Sequence, residues 1–238
     1  MKILLLGYGK MGKTIEKLAL EKSHEIYKVD TVEERKALSN ISTIEVAIEF
    51  SQPDAAVDNI KFCLDHNIPV LSGTTGWLEQ KEEIDQYCLD KKGTFFYASN
   101  YSVGVNIFFR LNNWLAKVMN GFDSYGVSIT ETHHIEKKDA PSGTAITIAE
   151  TIAEAVLRKD GWELDTVDEK KICIHSIREN DAPGTHVVKY SSPIDTIELT
   201  HTAHSREGFA KGALMVAEWL PGNNGILNMG NFLTTILS

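Results

Sequence analysis

The sequence predicts an α/β protein in two parts: a parallel, doubly wound sheet, then an α+β domain on a mixed or antiparallel sheet. Three observations predict it. From residue 3 to residue 98, short apolar runs alternate with helical periodicities at the pace of successive βαβ units. Beyond residue 125, strand-like segments come to follow one another without crossover helices. The 238-residue chain, 42% hydrophobic and 24% charged, is long enough to bury a core in each part.

The first strand is the apolar run 3–6, which stops at Gly7 and so falls far short of a signal-peptide core. Helical spacing runs from Met11 through Leu20, and residues 25–30 read as the second strand. Further strands are expected at 46–50, 69–72 and 94–98, with helices at 54–66 and 78–89 between them. In the second part, a helix over 104–119 precedes a strand at 125–132. A helix follows with Ala145, Ile148, Ala149, Ile152 and Val156 on one side. Strands are expected at 171–177, 185–191 and 195–201, then a helix over 208–220 and a closing segment, 225–237.

Charge and cysteine usage narrow the partners. A net charge of -9 disfavours nucleic acid and anionic membranes, so small molecules are the expected ligands. Cys63, Cys88 and Cys173 are far apart and odd in number, which signals neither a disulfide framework nor a zinc site and fits a reducing cytoplasm. No apolar run approaches the ~18 residues of a membrane span.

Gly7-Tyr8-Gly9-Lys10-Met11-Gly12 is a G-x-G-x-x-G between a strand and a helix, and Asp30 ends the next strand, 18 residues past Gly12. The glycines allow a tight turn and close approach to a pyrophosphate, the helix start supplies amides, and Asp30 can accept from a ribose hydroxyl. This is the pattern of a Rossmann dinucleotide-binding domain. Thr31 rather than arginine follows Asp30, and a carboxylate repels a 2′-phosphate, so NADH is favoured; NADPH stays the second candidate because Lys28 and Arg35 are near. Gly73, Thr74 and Thr75, and then Ala98, Ser99, Asn100 and Tyr101, fall at strand C-termini, where small and hydroxyl-bearing residues suit a nicotinamide ribose.

The densest chemistry is in Glu131-Thr-His-His-Ile-Glu-Lys-Lys-Asp-Ala-Pro-Ser-Gly-Thr-Ala145. Ser142 is a good N-cap, leaving the amides of Gly143, Thr144 and Ala145 unpaired at a helix start, where a carboxylate binds well. Thr144 adds a hydroxyl and Lys137 a positive charge. Of His133 and His134, on opposite faces of a strand, one can serve the substrate while the other packs. A histidine can supply the proton that completes a hydride transfer. No histidine, aspartate or glutamate spacing gives a metal ligand set.

These residues resemble the dihydrodipicolinate reductase family, also called 4-hydroxy-tetrahydrodipicolinate reductases, of lysine and diaminopimelate synthesis. The likeness extends to Glu45-Val-Ala-Ile-Glu-Phe-Ser-Gln-Pro53, Ser72-Gly-Thr-Thr-Gly76, Asn100-Tyr-Ser-Val-Gly-Val-Asn106, His204-Ser-Arg206 and Gly225-Ile-Leu-Asn-Met229, and so covers nearly the whole chain. It implies that His133 donates the proton, that Lys137 orients substrate or acts in catalysis, and that His134, Gly143 and Thr144 hold a dicarboxylate. It implies cofactor contacts from Gly7 to Gly12 and at Asp30, Gly73, Thr74, Thr75 and Ala98 to Tyr101. It also implies a homotetramer joined through the second domain's sheet. The departures touch the cofactor: the glycine loop is one residue shorter than in many members, and the stretch between Asp30 and Glu45 is compact.

The domains expected are therefore 1–103 for dinucleotide, 104–207 for substrate and oligomerisation, and a helical 208–238 packing back on the first. Two other functions compete: an NADH sensor without turnover, which intact His133 and Lys137 count against, and another NAD-linked amino-acid dehydrogenase, which has no need of this His-His-Lys arrangement.

Overall fold

The computed structural model describes residues 1–205 and 207–237; Arg206, in the His204-Ser-Arg206 stretch, lies outside them. In chain order the elements are β1 (Lys2–Leu6), α1 (Lys10–Glu21), β2 (Glu25–Val29), α2 (Val32–Lys36), β3 (Val46–Glu49), α3 (Pro53–Asp65), β4 (Val70–Ser72), α4 (Lys81–Asp90) and β5 (Thr94–Tyr97). There follow α5 (Val103–Met119), β6 (Gly126–His133), α6 (Gly143–Ala155), β7 (Trp162–Leu164), β8 (Ile172–Arg178), β9 (Thr185–Ser191), β10 (Thr196–Thr202), α7 (Glu207–Trp219), β11 (Gly225–Leu227) and α8 (Met229–Leu237). The chain divides into two compact units: residues 1–103 together with the segment that starts at Glu207, and the residues between.

The first unit is the expected α/β fold, a six-stranded sheet in the order β11-β5-β4-β3-β1-β2 with every pair parallel. Its strands read as continuous apolar runs because both faces are covered. Ile3, Leu5, Ile48 and Phe96 pack against α1, α7 and α8, whereas Leu4, Leu6, Ala47 and Phe95 pack against α3 and α4. Gly212 of α7 is forced by this packing, since a Cβ there would lie 1.8 Å from the Tyr101 carbonyl oxygen.

Two elements of the first unit, α2 and β11, go beyond the sequence expectation, as does β7 in the second. Helix α2 is five residues long, and a capping box starts it: Thr31 Oγ1 accepts from the Glu34 amide while the Glu34 side chain accepts from the Thr31 amide. The closing segment contributes β11 as the sixth strand, paired with β5, before α8.

The second unit is an α+β fold on a mixed sheet, in the order β10-β9-β6-β8-β7. Strand β6 pairs antiparallel with β9 and parallel with β8, and β7 with β8 is also parallel. Helices α5 and α6 cover one face, burying Phe108, Ala116, Ile148 and Ile152 against Ile129, Ile174, Val188 and Tyr190. Burial alternates along β6, so the covered stripe reads Val127, Ile129, Glu131, His133. An apolar stripe thus turns polar at the C-terminal end of the strand, where α6 begins.

Candidate active site

In the first unit, Gly7 turns with φ +94, and any Cβ there would strike Phe50 O at 2.3 Å. Gly12 backs onto Gly7 O, 2.5 Å from a built Cβ, which presses the start of α1 against the end of β1. Gly9 is different, because nothing lies within 4 Å of where its side chain would be. It is also the N-cap of the twelve-residue α1 and gives no side-chain cap bond. Open space before an uncapped helix start is what a pyrophosphate needs, so the loop fits a dinucleotide.

Asp30 Oδ1 accepts from the Tyr8 amide at 2.9 Å, joining the acid to the loop. The two basic residues nearest it in sequence are engaged elsewhere. Lys28 Nζ lies 2.9 Å from Glu16 Oε1 and 4.8 Å from the Tyr8 ring centroid, while Arg35 donates to Asn59 Oδ1 at 2.6 Å and stacks on Phe62. Glu34 Oε2 accepts from the amides of Asp30 and Thr31 at 2.7 and 3.2 Å, placing a second carboxylate just past β2. The Tyr8 hydroxyl donates to Glu16, which fixes the ring beside the loop; Lys10 and Met11 begin α1.

The loops after β3, β4 and β5 gather around fully buried Glu49. It accepts from Ser51, from Ser72 Oγ at 2.6 Å and from Thr74 Oγ1 at 2.9 Å. Thr74 Oγ1 also accepts from the Ser51 amide and its carbonyl accepts from Trp77 Nε1 at 2.8 Å, so its hydroxyl and its carbonyl are both engaged inside the protein. Tyr101 likewise turns inward, its hydroxyl donating to Ser72 O at 2.7 Å. Gly73 makes way for the Phe50 ring, 2.2 Å from a built Cβ. Thr75 and Ser99 are exposed, Asn100 is half-buried with Oδ1 accepting from the Ser102 amide, and Ala98 is buried.

In the second unit, β6 delivers His133 and Glu131 to the same covered face. His133 Nδ1 lies 2.7 Å from Glu131 Oε2. The opposite edge of the ring meets Gly184, where a Cβ would come within 3.0 Å of Nε2. His134, next along the chain, is half-buried and borders a cavity of about 300 Å³ shared with Ile135, Glu136, Asn180, Asp181 and Pro183. Lys137 Nζ contacts both carboxylate oxygens of Asp139 at 2.8 and 2.7 Å, and the ammonium holds that carboxyl below its ordinary range. Ser142 is the N-cap of α6, but its Oγ accepts from the Ala145 amide at 3.2 Å. The expected carboxylate site therefore narrows to the amides of Gly143 and Thr144. Space is open around Gly143, with nothing within 4 Å of a built Cβ.

Three contributors were missing from the sequence expectation: Glu131, Arg178 and His186. Glu131 is fully buried, and its Oε1 accepts from the Ser142 amide, Ser176 Oγ and Arg178 Nη2 at 3.2, 2.8 and 3.0 Å. Burial pushes its carboxyl up, but contacts from His133, Ser142, Ser176 and Arg178 outweigh that and leave it well below the ordinary carboxylate range. Burial, then the neighbouring His133, push His186 down to about 4. Its Nε2 lies 3.2 Å from Ser142 Oγ, and its ring stands edge-on to that of His133. Glu131, His133 and His186 each bring a ligand-type atom within 4.8 Å of the others, while the Arg178 guanidinium already lies against the carboxylate. Only strand register joins these residues: Glu131 pairs with Ser176 and His186, and His133 with Arg178. Glu131 stands two residues before His133, which was the one available signal.

A second cavity in this unit, about 650 Å³, is lined by residues such as Tyr125, Arg158, Lys171, Cys173 and Lys189 and includes none of those expected for substrate or cofactor. Among the described residues no helix is long and apolar enough to cross a membrane.

Comparison with known proteins extends over the whole chain. Residues 1–101 match the family model for the N-terminus of dihydrodipicolinate reductase, and residues 104–233 the one for its C-terminus. The chain is 49% identical over 237 residues to a 4-hydroxy-tetrahydrodipicolinate reductase from Christiangramia forsetii, covering 99% of each. It is 35% identical to one from Desulfovibrio desulfuricans, covering 90% of this chain and 91% of that protein. A solved dihydrodipicolinate reductase from Paenisporosarcina sp. TG-14, with dipicolinate bound, superposes with a TM-score of 0.78 at 22% identity over 96% of this chain and 97% of that one, a likeness of fold.

Proposed function

The chain belongs to the dihydrodipicolinate reductase family, oxidoreductases of lysine and diaminopimelate synthesis, and on that premise we propose how its residues divide the reduction of 4-hydroxy-tetrahydrodipicolinate to tetrahydrodipicolinate. A nicotinamide cofactor supplies the hydride. The first unit holds it: Gly7 to Gly12 receive the pyrophosphate, Asp30 the adenosine ribose, and the Gly73–Thr75 and Ala98–Tyr101 loops the nicotinamide end. NADH is favoured over NADPH, because Asp30 and Glu34 place two carboxylates where a 2′-phosphate would sit and both Lys28 and Arg35 have other partners.

The second unit binds the substrate and acts on it. Gly143 and Thr144 take a carboxylate at the start of α6, with Lys137 and His134 beside it, and His133 gives its Nε2 proton to the atom that hydride has made electron-rich, the substrate's 4-hydroxyl being lost as water. The observation that carries this reading is that one strand-to-helix connection, β6 to α6, presents a histidine, a lysine and an open helix start together. The enzyme works in the cytoplasm as a homotetramer assembled through the mixed sheet, as its family resemblance implies.

The test is oxidation of NADH and of NADPH with enzymatically generated substrate. Turnover with a higher kcat/KM for NADH supports the whole reading; tight NADH binding without oxidation of either cofactor would leave a sensor.

A further inference from the structure

Three parts of the substrate machinery, His133, the lysine loop and the start of α6, lead back to one buried carboxylate. Glu131 Oε2 faces His133 Nδ1, and Oε1 accepts from the Ser142 amide, the residue that caps α6. Oε1 also accepts from Arg178, whose guanidinium in turn donates to Lys137 O at 3.3 Å and Asp139 O at 2.7 Å. Acid, lysine loop and helix start are thus tied to Glu131 within two contacts each. A carboxylate with no exposure is costly unless its partners are fixed, so its placement is rigid. A carboxylate oxygen 2.7 Å from Nδ1 favours the tautomer that carries its proton there, and Nε2 is then the edge, toward Gly184, that would exchange a proton with substrate and water.

We infer that Glu131 is the positioning residue of the reaction: it sets the orientation and tautomer of His133 and aligns that ring with the lysine loop and the start of α6. The inference rests on His133 being the proton donor.

The test uses the full-length Glu131→Gln protein, which keeps the side chain's shape and an oxygen for Ser176 and Arg178 but removes the charge at Nδ1. The expected result is a kcat lower by about 10- to 100-fold, unchanged NADH affinity, and a larger solvent isotope effect in D2O as proton transfer becomes slower. A residue that only braces the fold would leave the isotope effect alone. The Glu131→Gln/His133→Ala double variant should be no slower than His133→Ala, because Glu131 acts through that ring. Losses that multiply in the double variant overturn the inference, as does a Glu131→Gln protein within twofold of wild-type kcat and with an unchanged solvent isotope effect. Wild-type kcat in His133→Ala overturns the proton-donor reading itself, so the two failures are read from different variants. Should Glu131→Gln not fold, Ser176→Ala loosens the carboxylate by one hydrogen bond. A raised solvent isotope effect there supports the inference, and an unaltered one overturns it.

Discussion

Glu131 and His186 stand directly opposite each other in the antiparallel register of β6 and β9, one a buried carboxylate below its ordinary range and the other a buried imidazole pushed down to about 4. The pair is not a salt bridge. Arg178 supplies the cation for Glu131, while His186 meets Ser142 Oγ and the edge of His133.

Stability should therefore fall in mild acid for a reason specific to His186. Below its ordinary value of 6.5 the unfolded chain takes up a proton that the folded chain refuses until about 4. Stability is full above that window and declines through it, by about 3 kcal/mol in total. Glu131 contributes stability above the ordinary carboxylate range and surrenders it only in stronger acid. Urea unfolding between pH 7.5 and 4.5 checks this: His186→Gln should flatten the decline, and an equal slope in both proteins would exclude His186 as its source.

Three substitutions should separate chemistry from binding. His133→Ala should lower kcat by roughly 10² to 10⁴ with little change in NADH affinity. Thr144→Val should chiefly raise the substrate KM, because its hydroxyl contact is much the same before and during reaction. Lys137→Ala should damage both, since a misplaced carboxylate misaligns the carbon that receives hydride. Steady-state kinetics with NADH titration by fluorescence distinguishes them. Loss of NADH binding in all three would show that the motif supports the fold instead.

Cofactor choice should respond to Glu34 as well as to Asp30. Glu34→Gln should raise kcat/KM for NADPH severalfold and leave that for NADH nearly unchanged, because its carboxylate is exposed and screened. Asp30→Ala should narrow the gap further but lower NADH affinity too, since it also removes the acceptor of the Tyr8 amide. A wild-type preference for NADPH of about tenfold, equivalent to about 1.4 kcal/mol, would sink the argument.

Gly184 should tolerate no side chain. Its φ is +145, and a Cβ would press on His133 Nε2 at 3.0 Å. Gly184→Ala should cost on the order of 1 to 3 kcal/mol of stability and should also lower kcat with NADH affinity intact. Thermal unfolding alongside the assay reads both; an unimpaired kcat would mean that the imidazole edge needs no clearance.

The first unit was legible in the sequence because strands covered on both faces leave unbroken apolar runs such as Ile3 to Leu6, and because glycines at 7, 9 and 12 have few other uses. Helix α2 was legible in principle: Thr31 and Glu34 form a capping box, but its five residues, four of them exposed, carry no apolar periodicity. Strands β7 and β11, three residues each, are too short to alternate. The site divides the same way. His133, Lys137 and Ser142 are neighbours in sequence, so their motif is visible; Arg178 and His186 reach Glu131 and Ser142 only through the pairing of β8 and β9 with β6, which no local pattern encodes.

The return of α7, β11 and α8 to the first unit bears on how the chain is born. Emerging residue by residue from a ribosome, it would display β1 to β5 long before Ala213, Leu214, Val216 and Phe232 arrive to cover Leu5, Ile48, Leu71 and Phe96. Until then α1 alone covers that face of the parallel sheet and β5 lacks its outer neighbour, whereas the second unit is one uninterrupted stretch that can close as soon as it is made. A nascent polypeptide halted just past β10 would be a finished second unit tethered to a sheet that still lacks α7, β11 and α8 and is prone to aggregate.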